Sequence, residues 1–275
     1  MSKKIIFLDI DGTLTEPGRN VPPASALEAV KNARKAGNLV FLCSGRNYGM
    51  LSPLLAYGFD GAVASAGGYI ACGEQVIYDC PMTEEQKEKV MKTLEENGVY
   101  RTAECVEGAY ADEGLEDFLR ESFGKNGSSE LIRWREMIKK SFHIRPMEEY
   151  AGQPVYKFVV MSPSMDNLNR SKRVLESEFQ FCIQDDSRGI VNCEIINRKF
   201  NKGMGVKRVC EYYQIPISDA VGFGDSMNDK EMLETVGLSI CMENGNEAVK
   251  KIADEVCPPV TEDGLWKAFQ KYNLM

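Results

Sequence analysis

The sequence predicts an α/β protein, a doubly wound parallel sheet interrupted by a smaller α+β insert. Three observations lead there. The apolar runs at 4–8 and 39–43 show no polar alternation, as in parallel strands covered on both faces. Segments with helical spacing stand between such runs. Between residues 82 and 189 the texture changes to shorter strand-like pieces and charged helical stretches. The chain therefore divides into a discontinuous core, 1–81 and 190–275, and an insert, 82–189.

The first strand, 4–8, leads into Asp9-Ile10-Asp11-Gly12-Thr13. Pro22-Pro23 precedes a helix over 24–35, with Leu27, Val30 and Ala33 at helical spacing and Gly37 as its stop. The second strand, 39–43, runs into Ser44-Gly45-Arg46, and a helix starts near Asn47. A third strand, 62–65, precedes Gly67-Gly68. In the insert, Thr83-Glu84-Glu85-Gln86 reads as a capping box for a helix ending before Gly98. Strand-like pieces at 99–102 and 108–111 follow, then a charged helical stretch and a loose segment at 124–129. Strands at 156–161 and 179–183 flank a helix at 166–178. The parallel pattern is expected to resume with a strand at 193–196. Helix 203–213, strands 220–223 and 238–241, and helix 247–254 complete the core.

A chain of 275 residues, 43% apolar and 27% charged, can bury a sizeable core. The net charge of -8 and the lack of a basic cluster argue against a nucleic-acid partner. No apolar span is long enough for a membrane helix. Nine cysteines contain no Cys-x-x-Cys pair, which argues against zinc. Cys43, Cys193 and Cys241 lie inside apolar runs and read as buried hydrophobes. With no signal-peptide pattern, a reduced cytoplasm is the expected home. The one histidine, His143, lies in a strand-like stretch and reads as structural. A Ser-His-Asp mechanism would have to rest on it alone.

The chemistry starts at the end of the first strand. Side chains alternate along a strand, so Asp9 and Asp11 leave on the same side. Two carboxylates that close need a cation, or one must hold a proton. Gly12 lets the backbone turn sharply after them. The pattern suits magnesium and phosphate. Three further stretches stand at or just beyond expected strand ends: Ser44-Gly45-Arg46, Asn201-Lys202-Gly203, and Gly224-Asp225-Ser226-Met227-Asn228-Asp229. Ligands of open α/β sheets bind at that edge.

Ser44 and Gly45 offer a hydroxyl and backbone N–H groups to a phosphate oxygen, or Ser44 caps the next helix. Arg46 is either a phosphate contact or a surface residue. Lys202 opens a helix, where the dipole disfavours a cation, so a phosphate or carboxylate partner would account for it. Asp225 is a third carboxylate at the same edge. Asn228 could bind phosphate or orient a metal-bound water. Asp229 could hold Lys202 or such a water, and both residues also suit helix capping.

Together these four motifs, in this order and with the insert between the second and third, resemble the haloacid dehalogenase superfamily. The resemblance covers essentially the whole chain, including Met242-Glu243-Asn244-Gly245 and Ala253-Asp254. It is to the Cof-type, sugar-phosphatase-like branch with a C2B-type α/β cap. The chain departs from many relatives in having Ala66-Gly67-Gly68 where they have Asn-Gly-Ala.

The resemblance implies a Rossmann-like core, a mobile cap formed by the insert, and a magnesium-dependent phosphatase working through an aspartyl-phosphate. Asp9 would be the nucleophile and Asp11 the acid/base. Asp9, the backbone carbonyl of Asp11 and Asp225 would hold Mg2+. Ser44, Gly45, Lys202 and Asn228 would bind phosphate, with Asp229 supporting from behind. The expected substrate is a small phosphorylated metabolite, a sugar phosphate foremost, and the expected assembly a monomer or small homo-oligomer. Two other readings share the motifs: a phosphomutase, and a non-catalytic phosphosugar sensor or phosphoacceptor. Arg101, Arg133, Arg135, Arg145 and Lys157 of the insert are conceivable anion contacts, with solvated charge as the default for each.

Overall fold

The computed structural model describes residues 3–17, 19–115, 117–118, 144–185 and 190–275. These form two compact units, 1–79 with 200–275, and 80–199. His143, Arg133, Arg135 and the 124–129 segment lie outside the described residues.

The first unit opens with β1 (Ile5–Leu8), α1 (Ala24–Lys35), β2 (Leu39–Cys43), α2 (Tyr48–Leu55) and β3 (Gly61–Ala64). A hairpin of β4 (Tyr69–Cys72) and β5 (Gln75–Asp79) follows. The second unit holds α3 (Glu84–Glu96), β6 (Tyr100–Glu104), β7 (Ala109–Ala111), β8 (Ile144–Pro146) and β9 (Lys157–Ser162). It continues with α4 (Met165–Leu175), β10 (Phe179–Asp185) and β11 (Val191–Asn197). The chain then returns to the first unit with α5 (Lys202–Tyr213), β12 (Ala220–Gly224), α6 (Lys230–Leu233) and β13 (Leu238–Met242). It ends in α7 (Glu247–Lys250), β14 (Glu255–Cys257) and α8 (Gly264–Lys271).

The sheet of the first unit runs β14-β13-β12-β1-β2-β3-β4-β5. It is parallel from β14 to β3, and the β4–β5 hairpin adds antiparallel to β3. Successive strands step outward from β1 through β2 and β3, and in the other direction from β12 through β13 and β14. The order therefore reverses between β1 and β12, the place where such sheets bind ligands. Each face carries its own core. Ile6, Leu8, Val40, Leu42, Val221 and Phe223 pack under α1 and α8. Ile5, Phe7, Phe41, Cys43 and Cys241 pack under α5, α6 and α7. Alternate residues of one strand thus serve opposite cores, which is why the runs show no polar positions.

The second unit is one sheet, β10-β11-β9-β6-β7-β8, antiparallel except between β7 and β8. Val90 and Leu94 of α3 and Leu168 and Leu175 of α4 cover Ala103, Phe158, Val160, Cys193 and Ile195. The capping box at Thr83 and Gln86 opens α3. The strand expected at 193–196 belongs here and not to the parallel sheet. Its residues pair antiparallel with both β9 and β10, Ile195 facing Phe158 on one side and Phe181 on the other. Its sequence, Val191-Asn192-Cys193-Glu194-Ile195, alternates apolar and polar residues as antiparallel strands do, although every residue of β11 is buried. The return to the first unit comes at residue 200 instead of 190.

Two of the charges expected to be solvated are not. Lys157 is completely buried, ion-paired to Glu194 and 3.6 Å from Glu104. Arg101 forks onto Asp112, with the closest contact at 2.9 Å, and donates to the Met91 carbonyl. Arg145 is exposed. All nine cysteines are free thiols, with Cys43, Cys193 and Cys241 buried. Among the described residues no helix is long and apolar enough to cross a membrane.

Candidate active site

The reversal point of the first sheet gathers the motifs. Asp9 follows β1 and still donates its N–H to Phe223 of β12, at 3.0 Å. The chain then turns tightly. The N–H groups of Thr13, Leu14 and Thr15 all donate to the Ile10 carbonyl, and Gly12 donates to Thr15 at 2.8 Å. Gly12 has φ +89°, and a Cβ there would lie 2.4 Å from Oδ2 of Asp225. Glycine is therefore needed twice, for the backbone and for the space. Asn244 closes the turn from behind by donating to the Gly12 carbonyl at 2.9 Å.

Lys202 is the first residue of α5, whose cap is Asn201. Its ammonium donates to Oδ1 of Asp9 at 2.7 Å, Oδ1 of Asp229 at 2.6 Å and Oδ1 of Asn228 at 3.1 Å. Carboxylates thus supply the partners that a cation at a helix start requires. Burial works against the charge of Lys202, but Asp229 and Asp9 outweigh it and hold the ammonium in its charged form. Oδ2 of Asp229 accepts the backbone N–H groups of Asp225 and Ser226, at 3.0 and 3.1 Å. Asp229 therefore braces the Asp225 loop against Lys202. Asn228 also accepts the Ser226 hydroxyl.

Asp225 follows β12 and accepts the Thr13 hydroxyl at 3.3 Å. Carboxylate oxygens of Asp9, Asp225 and Asp229 lie within 4.8 Å of one another. Burial, with Asp229 second, pushes the Asp9 carboxyl up to about 7 against the pull of Lys202. Burial and then Asp9 raise Asp225 as well. Four acids, Asp9, Asp11, Asp225 and Asp229, meet two cations, Lys202 and Arg46. The donor set is oxygen only and in excess of negative charge. That fits a hard divalent cation.

Ser44 and Gly45 lie beyond the end of β2, the neighbour of β1. Ser44 does not cap α2, because Asn47 does, accepting the Met50 N–H at 3.0 Å. The Ser44 hydroxyl accepts the Arg46 N–H at 3.2 Å, and its carbonyl accepts the Ala66 N–H at 3.0 Å. Arg46 is no surface residue. It is 2% exposed and forks onto Asp11, with a contact of 2.8 Å. Thr13, Asn20 and Asn244 also support the site; Thr13 and Asn244 stand within quoted motif stretches, whereas Asn20 is a lone polar residue that no spacing marks.

The model of the haloacid dehalogenase-like hydrolase family matches residues 6–269. The chain belongs to this family. Its relatives include a 5-amino-6-(5-phospho-D-ribitylamino)uracil phosphatase, YwtE, of Bacillus subtilis. That protein is 26% identical, with 95% of each chain covered. A phosphoglycolate phosphatase of Methanobrevibacter smithii is also 26% identical, over the whole of both chains. The structure of the subclass IIB sugar phosphatase BT4131 superposes with a TM-score of 0.79 at 22% identity, covering 99% of this chain and 100% of that one. This haloacid dehalogenase-like hydrolase is a phosphoric monoester hydrolase.

Proposed function

We propose that the chain is a magnesium-dependent phosphatase of small phosphorylated metabolites, sugar phosphates foremost, acting through an aspartyl-phosphate. The observation that carries this reading is the Lys202 ammonium, 2.7 Å from Asp9 and 2.6 Å from Asp229, beside Asp225 at the sheet reversal. Asp9 is then the nucleophile, held by Lys202, and attacks phosphorus in line with the leaving oxygen. As its oxygen bonds to phosphorus, the bond to the leaving oxygen breaks and Asp11 gives that oxygen a proton. Asp11 next takes a proton from water, whose oxygen attacks phosphorus and frees Asp9 and inorganic phosphate.

Asp9, Asp225 and the backbone carbonyl of Asp11 would hold Mg2+. Such an ion supplies positive charge for the phosphoryl oxygens and offsets the crowded carboxylates. Ser44, Gly45, Lys202 and Asn228 bind the phosphoryl group, and Asp229 keeps Lys202 and the Asp225 loop in place. The relatives' names support the substrate class: one acts on a phosphorylated ribityl compound, another on phosphoglycolate, and a structural neighbour is a sugar phosphatase.

The test is phosphate release from a panel of phosphorylated sugars, nucleotides and small acids. It is run with magnesium, with EDTA, and with Asp9→Asn. Metal-dependent release that the variant loses is expected. Full activity in Asp9→Asn would overturn the nucleophile assignment. An isomerised sugar phosphate without free phosphate would make the enzyme a mutase, and a long-lived phosphoprotein without turnover would make it a phosphoacceptor.

A further inference from the structure

The buried guanidinium of Arg46 has a use that phosphate binding does not explain. Its Nε and Nη2 donate to the two oxygens of Asp11 at 3.0 and 2.8 Å, and its Nη1 donates to Oδ1 of Asn20 at 2.8 Å. Only 2% of the Arg46 side chain and 14% of that of Asp11 is exposed. Three of the five N–H donors of the guanidinium are thus committed to Asp11 and Asn20. Burying a guanidinium is unfavourable unless its partners are well placed.

The backbone at Asp11 does not need this pair. The turn is already tied by four backbone hydrogen bonds, three to the Ile10 carbonyl and one from Gly12 to Thr15, and by the side chains of Thr15 and Asn244. What the turn leaves open is the direction of the Asp11 carboxylate plane. A guanidinium fork matches a carboxylate in a single planar arrangement, which an ammonium cannot impose. The fork takes one lone-pair site on each carboxylate oxygen.

We propose that Arg46, held in turn by Asn20, is the positioning residue for the acid/base, fixing the plane of the Asp11 carboxylate toward the leaving oxygen. This rests on the reading of Asp11 as acid/base given above. Proton donation matters most when the leaving group is a poor one. A sugar alkoxide needs the proton, whereas p-nitrophenolate departs without it. The cost of disturbing Arg46 therefore depends on the ester.

The experiment measures kcat and KM with magnesium for the best sugar phosphate of the panel and for p-nitrophenyl phosphate. The variants are Arg46→Lys, Asn20→Ala and Asp11→Asn. General acid–base catalysis contributes about 10²- to 10⁴-fold, and misdirecting the acid is expected to forfeit roughly 10- to 100-fold of that. Arg46→Lys should lose that much kcat/KM on the sugar phosphate, with a far smaller loss of kcat/KM on p-nitrophenyl phosphate, because kcat/KM covers only the steps through phosphoenzyme formation, whereas the later attack of water is common to both esters. Asn20→Ala should show the same bias more weakly, and it carries the test if Arg46→Lys fails to fold by circular dichroism. Equal losses of kcat/KM on both esters would overturn the proposal in favour of a structural role or a phosphate contact. Full activity in Arg46→Lys would also overturn it, since charge alone would then suffice. A bias in Asp11→Asn without one in the other two variants overturns the positioning role and leaves the acid/base reading standing. No bias in Asp11→Asn overturns both.

Discussion

Lys202 and Asp229 form a 2.6 Å ion pair from which water is excluded, with 1% and 0% of their side chains exposed. The pair joins the start of α5 to the loop after β12, because the other oxygen of Asp229 holds the N–H groups of Asp225 and Ser226. Removing one partner of a buried pair costs about 3–5 kcal/mol when the other is left uncompensated; Lys202 keeps Asp9 at 2.7 Å, so the loss of Asp229 falls at the low end of that range. Asp229→Ala should lose stability of that order in urea unfolding and most of its phosphate release. The double variant Lys202→Met, Asp229→Ala should regain part of the stability and none of the activity. Additive losses of stability would show that the two residues are not coupled.

Gly12→Ala tests the space beside Asp225. The added Cβ would meet Oδ2 of Asp225 at 2.4 Å, and the backbone there has φ +89°. A left-handed alanine costs about 1–2 kcal/mol, small against the stability of a domain of this size. The displaced Asp225 matters more, because it is one of two side chains proposed to hold the metal. The variant is expected to fold with a slightly lower Tm and to need much more magnesium for half-maximal activity. Unchanged magnesium dependence would place the metal away from Asp225.

The strands, the capping box and the motif order were legible because each is local. Apolar runs mark buried strands wherever they lie, but β11 is no such run. Val191–Asn197 alternates apolar and polar residues up to Ile195, the texture of an antiparallel strand, and its pairing with β9 and β10 puts it in the other sheet. The β4–β5 hairpin went unread because its strands are short and the outer one is half-exposed. At the site, Asp9, Asp225 and Lys202 were visible as motif residues. The partner of Arg46 was not, since nothing in the spacing of residues 11, 20 and 46 tells that a fork will close on Asp11.

Asp254 gives a prediction about acid. Its carboxylate accepts both the N–H and the hydroxyl of Ser239 on β13 at 2.8 Å, and Ser239 in turn accepts the Asp254 N–H. The backbone hydrogen bond from Ser239, with the hydroxyl second, holds the carboxyl below its ordinary value. A depressed carboxyl stabilises the fold above its unfolded pKa of about 3.9, and that contribution is lost as pH falls through the lower folded value. Asp254→Ala should therefore be less stable than the parent at pH 7, with the gap narrowing below about pH 4. A gap that persists unchanged at pH 2.5 would mean that packing, and not the ionised carboxylate, holds this segment to β13.

The turn after β3 carries a strain that one substitution should release. Ser65, Ala66 and Gly67 all have positive φ, at 49°, 56° and 103°. Ser65 donates to the Arg46 carbonyl and Ala66 to the Ser44 carbonyl, so the turn supports the loop that carries both residues. An alanine held left-handed costs about 1–2 kcal/mol, and the extra freedom of glycine in the unfolded chain returns roughly half of that. Ala66→Gly is thus expected to stabilise the protein by about 0.5–1 kcal/mol, read as a higher urea midpoint at unchanged slope. Its kcat on the best sugar phosphate should stay within about twofold, because the hydrogen bonds to Ser44 and Arg46 come from the backbone and survive the change. A stabilised variant that loses activity would instead show that the Ala66 methyl, 7% exposed, is needed to hold the Ser44 loop in its working position.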